Sequence, residues 1–269
     1  MLELYNYPPS LLGSGGTCPS HNLVCAFEKK DGSANDMQSD TRFENMDPRF
    51  DVTIVRDGSI LGARGAIDIS DPNSQDAIGK VNLRSTVTGY YLRKFLDTNI
   101  NLSAQTITST YHYFPVIRLA DIYLLYAEAM NEAYGPNDAA DLGWTALEAL
   151  NKVRTRAGIT VPYTTTSQTE MTKKIRNERR VELAFEDQRY FDLRRWKTAE
   201  KDLNQPLMGF RIERQDNGVV STHEFVVDGQ RKFNTKMYYS PIPYSEMQLN
   251  TNLVPVSYTH LRAHETLSD

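Results

Sequence analysis

The 269 residues carry 30 Lys and Arg against 34 Asp and Glu, with 40% hydrophobic and 24% charged residues, the composition of an ordinary globular chain able to bury one sizeable core or two small ones. The formal net charge of −4 is spread along the chain, and no basic stripe exists to neutralise phosphates, which argues against a nucleic-acid partner. No stretch approaches the roughly 20 apolar residues that a helical bilayer crossing needs.

The segment Met1 to Gly16 lacks a basic start, an apolar run and a small-residue cleavage site, so either the chain is cytoplasmic or Met1 is not its biological start. Cys18 and Cys25 have no histidine pairs at zinc-ligand spacing around them. A disulfide between them requires an oxidising compartment, and two unpaired thiols is the simpler reading. His21, His112, His223, His260 and His264 are scattered, and neither a metal nor a cofactor is expected.

The first hundred residues are rich in Gly, Pro, Asn, Asp and Ser and read as loops with brief strands. Asp47-Pro48 predicts a turn entering a strand over Asp51 to Val55. From Pro115 the texture becomes helical: Ile117, Ala120, Leu124 and Ala127 share a face, Pro115 suits a first turn, and Gly135-Pro136 stops the helix near Ala133. A second helix places Leu142, Ala146, Ala149, Leu150, Val153 and Ala157 on one face and ends at Gly158. The two form an αα-hairpin whose small residues permit the close packing of tetratricopeptide-type units, and one such pair needs further helices to cover it. A third helix opens with the capping-box pattern Ser167-x-x-Glu170 and is expected to run to about Ala199. Beyond Pro206, Phe225 to Gly229 and Lys232 to Asn234 predict a small hairpin.

The third helix is the most charged element. Glu178, Glu182 and Glu186 fall four residues apart, which raises the possibility of two acids flanking a glycosidic bond. Arg179, Arg189 and Arg195 lie three residues from acids, so the reading preferred here is a structural ladder of intrahelical ion pairs that keeps each carboxylate ionised. No phosphate-binding glycine loop, nucleophile elbow or His-Glu-x-x-His pair is present. The 15 tyrosines supply flat rings with a hydroxyl, suited to stacking on sugar faces. Tyr123 and Tyr126 sit in the helical stripe, whereas Tyr5, Tyr7, Tyr90, Tyr91, Tyr111 and Tyr113 occupy loop-rich sequence, where binding residues are displayed.

Several segments in order resemble the C-terminal part of SusD/RagB-family proteins: Asp47-Pro48-Arg49-Phe50, Tyr91 to Phe95, Pro115 to Ala129, Ala149 to Gly158, Glu178 to Trp196, and Ser240-Pro241-Ile242-Pro243 with Glu246, a span from Leu2 to Val254. The resemblance implies a mainly α fold, a tetratricopeptide-like helical scaffold with a loop-rich region and a few short strands. It divides into a ligand-facing region over 1–114, a helical core over 115–254, and a tail over 255–269 that looks non-native. It also implies a surface-exposed lipoprotein of the outer membrane that binds oligosaccharides without catalysis and delivers them to a SusC-like TonB-dependent transporter. Membrane attachment would come only through a lipid anchor on a signal-bearing upstream part, so the chain is expected to be an N-terminally truncated piece. The ligand-contacting residues expected are Tyr5, Tyr7, Arg64, Tyr90 and Tyr113, with Arg118, Asp121 and Trp196 as scaffold. A tetratricopeptide-type protein-interaction module and a glycoside hydrolase are the competing readings.

Overall fold

Helix is the dominant element, as the 3.6-residue periodicity predicts. Short helices α1 (His21–Val24) and α2 (Pro48–Thr53) precede α3 (Leu119–Tyr134), α4 (Ala146–Ala157) and α5 (Gln168–Glu182), and α6 (Gln188–Arg195), α7 (Ala199–Leu203) and α8 (Tyr244–Leu249) follow. Among the described residues the strands form two pairs, β1 (Ile54–Val55) with β2 (Tyr91–Leu92) and β3 (Leu207–Arg214) with β4 (Val220–Asp228). The computed structural model describes residues 5–61, 65–79, 82–98, 113–239, 242–250 and 252. Arg64, Tyr111, Ser240-Pro241 and the tail over 255–269 lie outside them.

Two compact units emerge, Met1–Arg189 with Leu207–Val227, and Tyr190–Pro206 with Asp228–Asp269. The change of texture near residue 114 therefore marks where loops give way to helices within the first unit. That unit is organised around α3, α4 and α5, whose apolar faces meet in one cluster: Ala120, Leu124, Ala127 and Met130 from α3, Ala146, Ala149, Leu150 and Val153 from α4, and Met171 and Ile175 from α5. Each set recurs at three- or four-residue spacing, so one stripe per helix faces the others. Asn131 near the end of α3 donates to the Gln168 carbonyl at 3.1 Å while Gln168 donates back to the Asn131 carbonyl at 2.6 Å, pinning α3 to the start of α5.

Loops and strands build the rest of the unit. In the antiparallel β1–β2 pair Ile54 opposes Leu92 and Val55 opposes Tyr91. Because successive strand residues point to opposite faces, Ile54 and Tyr90 enter a core with Phe27, Phe50 and Phe210, while Val55 and Tyr91 enter another with Tyr7, Leu61, Ile67 and Ile69. Gly89, at φ +87, lets the chain pass so close to β3 that a Cβ there would lie 1.9 Å from the Phe210 carbonyl oxygen. Gly89→Ala is expected to lose at least the roughly 1–3 kcal/mol of a strained backbone, read as a lower urea midpoint than wild type; an unchanged midpoint would show that β3 is free to shift. The second unit has a small core of Leu193, Ala199 and Phe233, with Arg194 stacked 3.4 Å above the Tyr190 ring.

Several sequence expectations need correction. Asp47-Pro48 starts a helix, because Asp47 caps it by accepting from Arg49 N at 2.9 Å and Pro48 takes the first helical position, where no N–H is needed; the strand is reduced to Ile54–Val55. The helix expected from Pro115 begins at Leu119, and the second begins at Ala146, leaving Leu142 exposed ahead of it. A complete capping box forms at Thr145 with Glu148, whereas Ser167 accepts from Glu170 N but the Glu170 carboxylate turns to Lys173. The charged helix is not continuous to Ala199: it ends at Glu182, and Phe185 and Asp187 adopt positive φ of 63 and 61 before α6 begins. The strand paired with Val220–Asp228 lies upstream, at Leu207–Arg214, with Gln215 and Val219 closing the turn between them, while Lys232 to Asn234 are not strand.

Candidate functional site

The break after α5 is where charge concentrates. A helix leaves its last carbonyl groups without intrahelical donors. Lys94, just after β2, supplies them by donating to the carbonyls of Ala184 at 2.8 Å and Glu182 at 3.3 Å, and Arg118, just before α3, donates to the Glu182 carbonyl at 2.6 Å. Cations are also favoured at the negative end of the helix dipole. With those carbonyls satisfied the helix stops, and Glu186 comes within reach of the same two cations: Lys94 at 2.5 Å, and Arg118 at 2.6 Å from Nε to Oε2 and 2.9 Å from Nη2 to Oε1.

Glu182 lies at the centre. Its Oε2 accepts from Arg49 Nη1 at 2.8 Å, and its Oε1 accepts from Arg118 Nη1 at 2.5 Å and from Arg156. Arg49 also reaches Glu178 at 2.5 Å and Asp47 at 2.6 Å, so Asp47 both caps α2 and aims its arginine at α5. Glu178 in turn accepts from the buried Arg154 at 3.0 Å, and Glu28 joins Arg154 to Lys174. Arg179 pairs with Asp121 at 2.7 Å. The expected intrahelical ladder is thus replaced by tertiary pairing: the partners of Glu178, Glu182 and Glu186 come from α2, α4 and the segments before α3 and after β2, because in the fold these lie nearer than the neighbouring turn. Asp192 and Arg195, at 2.8 Å, keep a local three-residue pairing. Arg118 and Asp121 likewise pair over long sequence distances, not locally.

Burial by itself would raise the Glu182 carboxyl, but the Arg49 and Arg118 guanidiniums reverse this and hold it down at about 2. Burial pulls the other way on Arg49, where the Glu178 and Asp47 carboxylates prevail and push the guanidinium further up. Lys94 is lowered by burial despite Glu186. Glu182 is therefore locked ionised, the opposite of what a general acid for glycoside hydrolysis requires.

Above this paired floor lies an open cleft of about 330 Å³ walled by Val52, Phe95, Tyr113, Pro115 and Val181, with Lys94, Arg118 and Arg156 among its polar lining. Tyr113 is 85% exposed, and Phe95 stands against Phe114 with ring centroids 5.4 Å apart. Phe95 is held at φ +71, a left-handed conformation costly for an aromatic residue. A neighbouring cavity of about 670 Å³ runs along α4 and is lined by Trp144, Asn151, Lys152, Thr155 and again Arg156. Trp144 packs against Tyr123 at 5.4 Å, and the Tyr126 hydroxyl donates to its carbonyl at 2.8 Å.

Of the five residues expected at a binding surface, Tyr113 lines the cleft and Tyr5, 56% exposed, is accessible elsewhere. Tyr7 and Tyr90 are buried: the Tyr7 hydroxyl donates to the Asp97 carbonyl at 2.5 Å and the Tyr90 hydroxyl meets His21 Nδ1 at 2.9 Å, so loop sequence here supplies core tyrosines with satisfied hydroxyls and no ring face for a ligand. Arg64 lies outside the described residues. Phe95 and Trp144 were not legible as site residues, since a positive φ and a helix-flanking position leave no mark in the pattern. Cys18 and Cys25 are unpaired, and among the described residues no cluster of His, Cys, Asp or Glu suits a metal and no helix is long and apolar enough to cross a membrane.

Comparison with known proteins places these features in context. The model of the SusD family matches residues 3–258, ending beyond the limit expected at Val254. A SusD-like protein, P25, of Formosa agariphila is 33% identical over 155 residues, covering 54% of this chain and 24% of its own length. Among solved structures, a SusD-like protein from Bacteroides fragilis superposes with a TM-score of 0.77 at 27% identity, over 94% of this chain and 50% of that one. A SusD-like carbohydrate-binding protein from the same species gives 0.75 at 25% identity, over 94% and 51%. The chain thus spans about half the length of these solved relatives and about a quarter of the curated one.

Proposed function

The chain belongs to the SusD family, and from that premise we propose that it takes part in capturing oligosaccharides, without catalysis, at the outer-membrane surface and passing them to a SusC-like TonB-dependent transporter. The observation that carries the reading is the combination of accessible aromatic rings with an ion-paired polar floor. Tyr113 and the Phe95–Phe114 pair offer faces for sugar C–H groups, and the half-exposed Arg156 guanidinium beside them, bound to Glu182 through one nitrogen, offers donors for hydroxyls. The carboxylates beneath are already fully engaged by cations, so the cleft binds and orients but has no acid to protonate a leaving group. A shallow site of this kind gives modest affinity that repeated engagement along a polymer strengthens.

Affinity electrophoresis against a polysaccharide panel tests this. Wild type is expected to be retarded by at least one polymer, and Tyr113→Ala to bind it about tenfold more weakly, the equivalent of about 1.4 kcal/mol, with an unchanged melting temperature. Equal retardation of the variant would remove Tyr113 from the site. A protein-interaction module is the second reading, favoured by the apolar ridge of Val116, Ile117, Leu119 and Ile122 left exposed beside and along α3; it predicts no retardation by any polymer.

A further inference from the structure

We propose that the ligand surface is built for an acidic glycan, one bearing carboxylate or sulfate groups, laid across two adjoining cavities with Arg156 as the shared contact. This rests on the carbohydrate-binding reading and names the class of sugar. The chain as a whole is net negative, yet what the cleft shows to solvent is positive. Glu182 and Glu186 have side chains only 3% and 4% exposed, each held by at least two cations, whereas Lys94, Arg118 and Arg156 are 20%, 25% and 58% exposed. The acids are spent inward and the cations present their outer edges. Arg156 reaches Glu182 through one nitrogen, so with so much of its side chain in water most of its five N–H donors remain available to an anionic group, which a guanidinium can grip with two parallel bonds.

The second cavity continues the same polarity. Lys152 and Arg156 are four residues apart on α4 and so stand on one face, an arrangement of like charges that mildly destabilises a helix unless an anion lies between them. The acid placed to relieve it, Glu148, is engaged elsewhere: its Oε2 accepts from Thr145 N at 2.8 Å and Thr145 Oγ1 at 3.2 Å in the capping box. Lys152 has its ammonium 4.1 Å above the Trp144 ring and no hydrogen-bond acceptor among the described residues. The surface therefore runs from one aromatic group, Tyr113 and Phe95, through Arg156 to another at Trp144. Two cavities joined at one residue suit an extended chain rather than a monosaccharide.

The test is affinity electrophoresis of the whole chain through gels containing polygalacturonate, carrageenan, or neutral laminarin and amylopectin, at two salt concentrations. Retardation is expected in polygalacturonate, carrageenan or both, identifying carboxylate or sulfate as the anion, and it should fall as salt rises. Arg156→Gln should weaken acidic binding about tenfold at a temperature where both proteins are folded, Arg156→Lys should restore part of it, and Lys173→Gln, which removes the same charge from α5 outside both cavities, should change nothing. Retardation by the neutral polymers alone, or Arg156→Gln binding acidic polymer like wild type, overturns the acidic assignment while leaving carbohydrate binding intact. An equal loss with Lys173→Gln reduces the effect to unspecific charge and also overturns it. Retardation in no gel removes the carbohydrate reading and this one with it.

Discussion

Glu182→Gln lowers the unfolding free energy by about 3–5 kcal/mol in urea titration at pH 7, the cost of breaking a buried ion pair from one side. Glutamine keeps the shape but leaves Arg49, Arg118 and Arg156 facing a neutral amide whose NH2 adds donors where only acceptors are wanted. Acid reproduces the effect in wild type. The Glu182 carboxyl is depressed in the fold from an ordinary 4.5 to about 2. Its contribution is therefore complete above pH about 4.5 and is lost as pH falls through that range toward the folded value, on the order of 3 kcal/mol in all. Urea midpoints between pH 6 and 3 should fall less steeply for the variant than for wild type, because the group that titrates has gone. A variant as stable as wild type, with the same pH slope, would mean that the network contributes nothing net and that its desolvation cancels its attraction.

Leu150→Ala removes the residue at the middle of the α3–α4–α5 cluster and costs about 2–5 kcal/mol, transfer plus the cavity left behind. Leu124→Ala, from the facing helix and the same cluster, should cost a similar amount, and the double variant less than the sum, since both empty one shared space. Thermal unfolding followed at 222 nm reads this directly. Costs below about 0.5 kcal/mol, the scale of surface substitutions, would place these leucines outside any tightly packed core.

What the sequence conveyed and what it withheld differ in kind. Helix existence was legible because Leu124, Ala127, Leu150 and Val153 repeat at the helical period and because Gly135 and Gly158 mark the ends, the latter in a left-handed conformation at φ 91. The stop after Glu182 was not, since no glycine or proline stands there. Lys94 and Arg118 end that helix, and they come from 88 and 64 residues away in the chain. The same distance hid the partners of the three glutamates: residue spacing shows which neighbours a charge has along a helix, not which cations the fold brings to it. Asp47-Pro48 is ambiguous by nature, as the residues that begin a turn also cap and open a helix. Loop composition likewise misplaced Tyr7 and Tyr90, because glycine-rich flanks determine how the backbone bends and leave open which way a ring points.

Central to the proposed function is an inert charged helix beneath a surface that holds sugar unchanged. Equilibrium dialysis with end-labelled oligosaccharides from the polymer that retards the chain, followed by mass analysis of the recovered ligand, examines both halves at once. Bound ligand should return at its original length, with binding weakened in Tyr113→Ala. Shortened products that disappear in Glu182→Gln would instead make that carboxylate a catalyst and contradict the account.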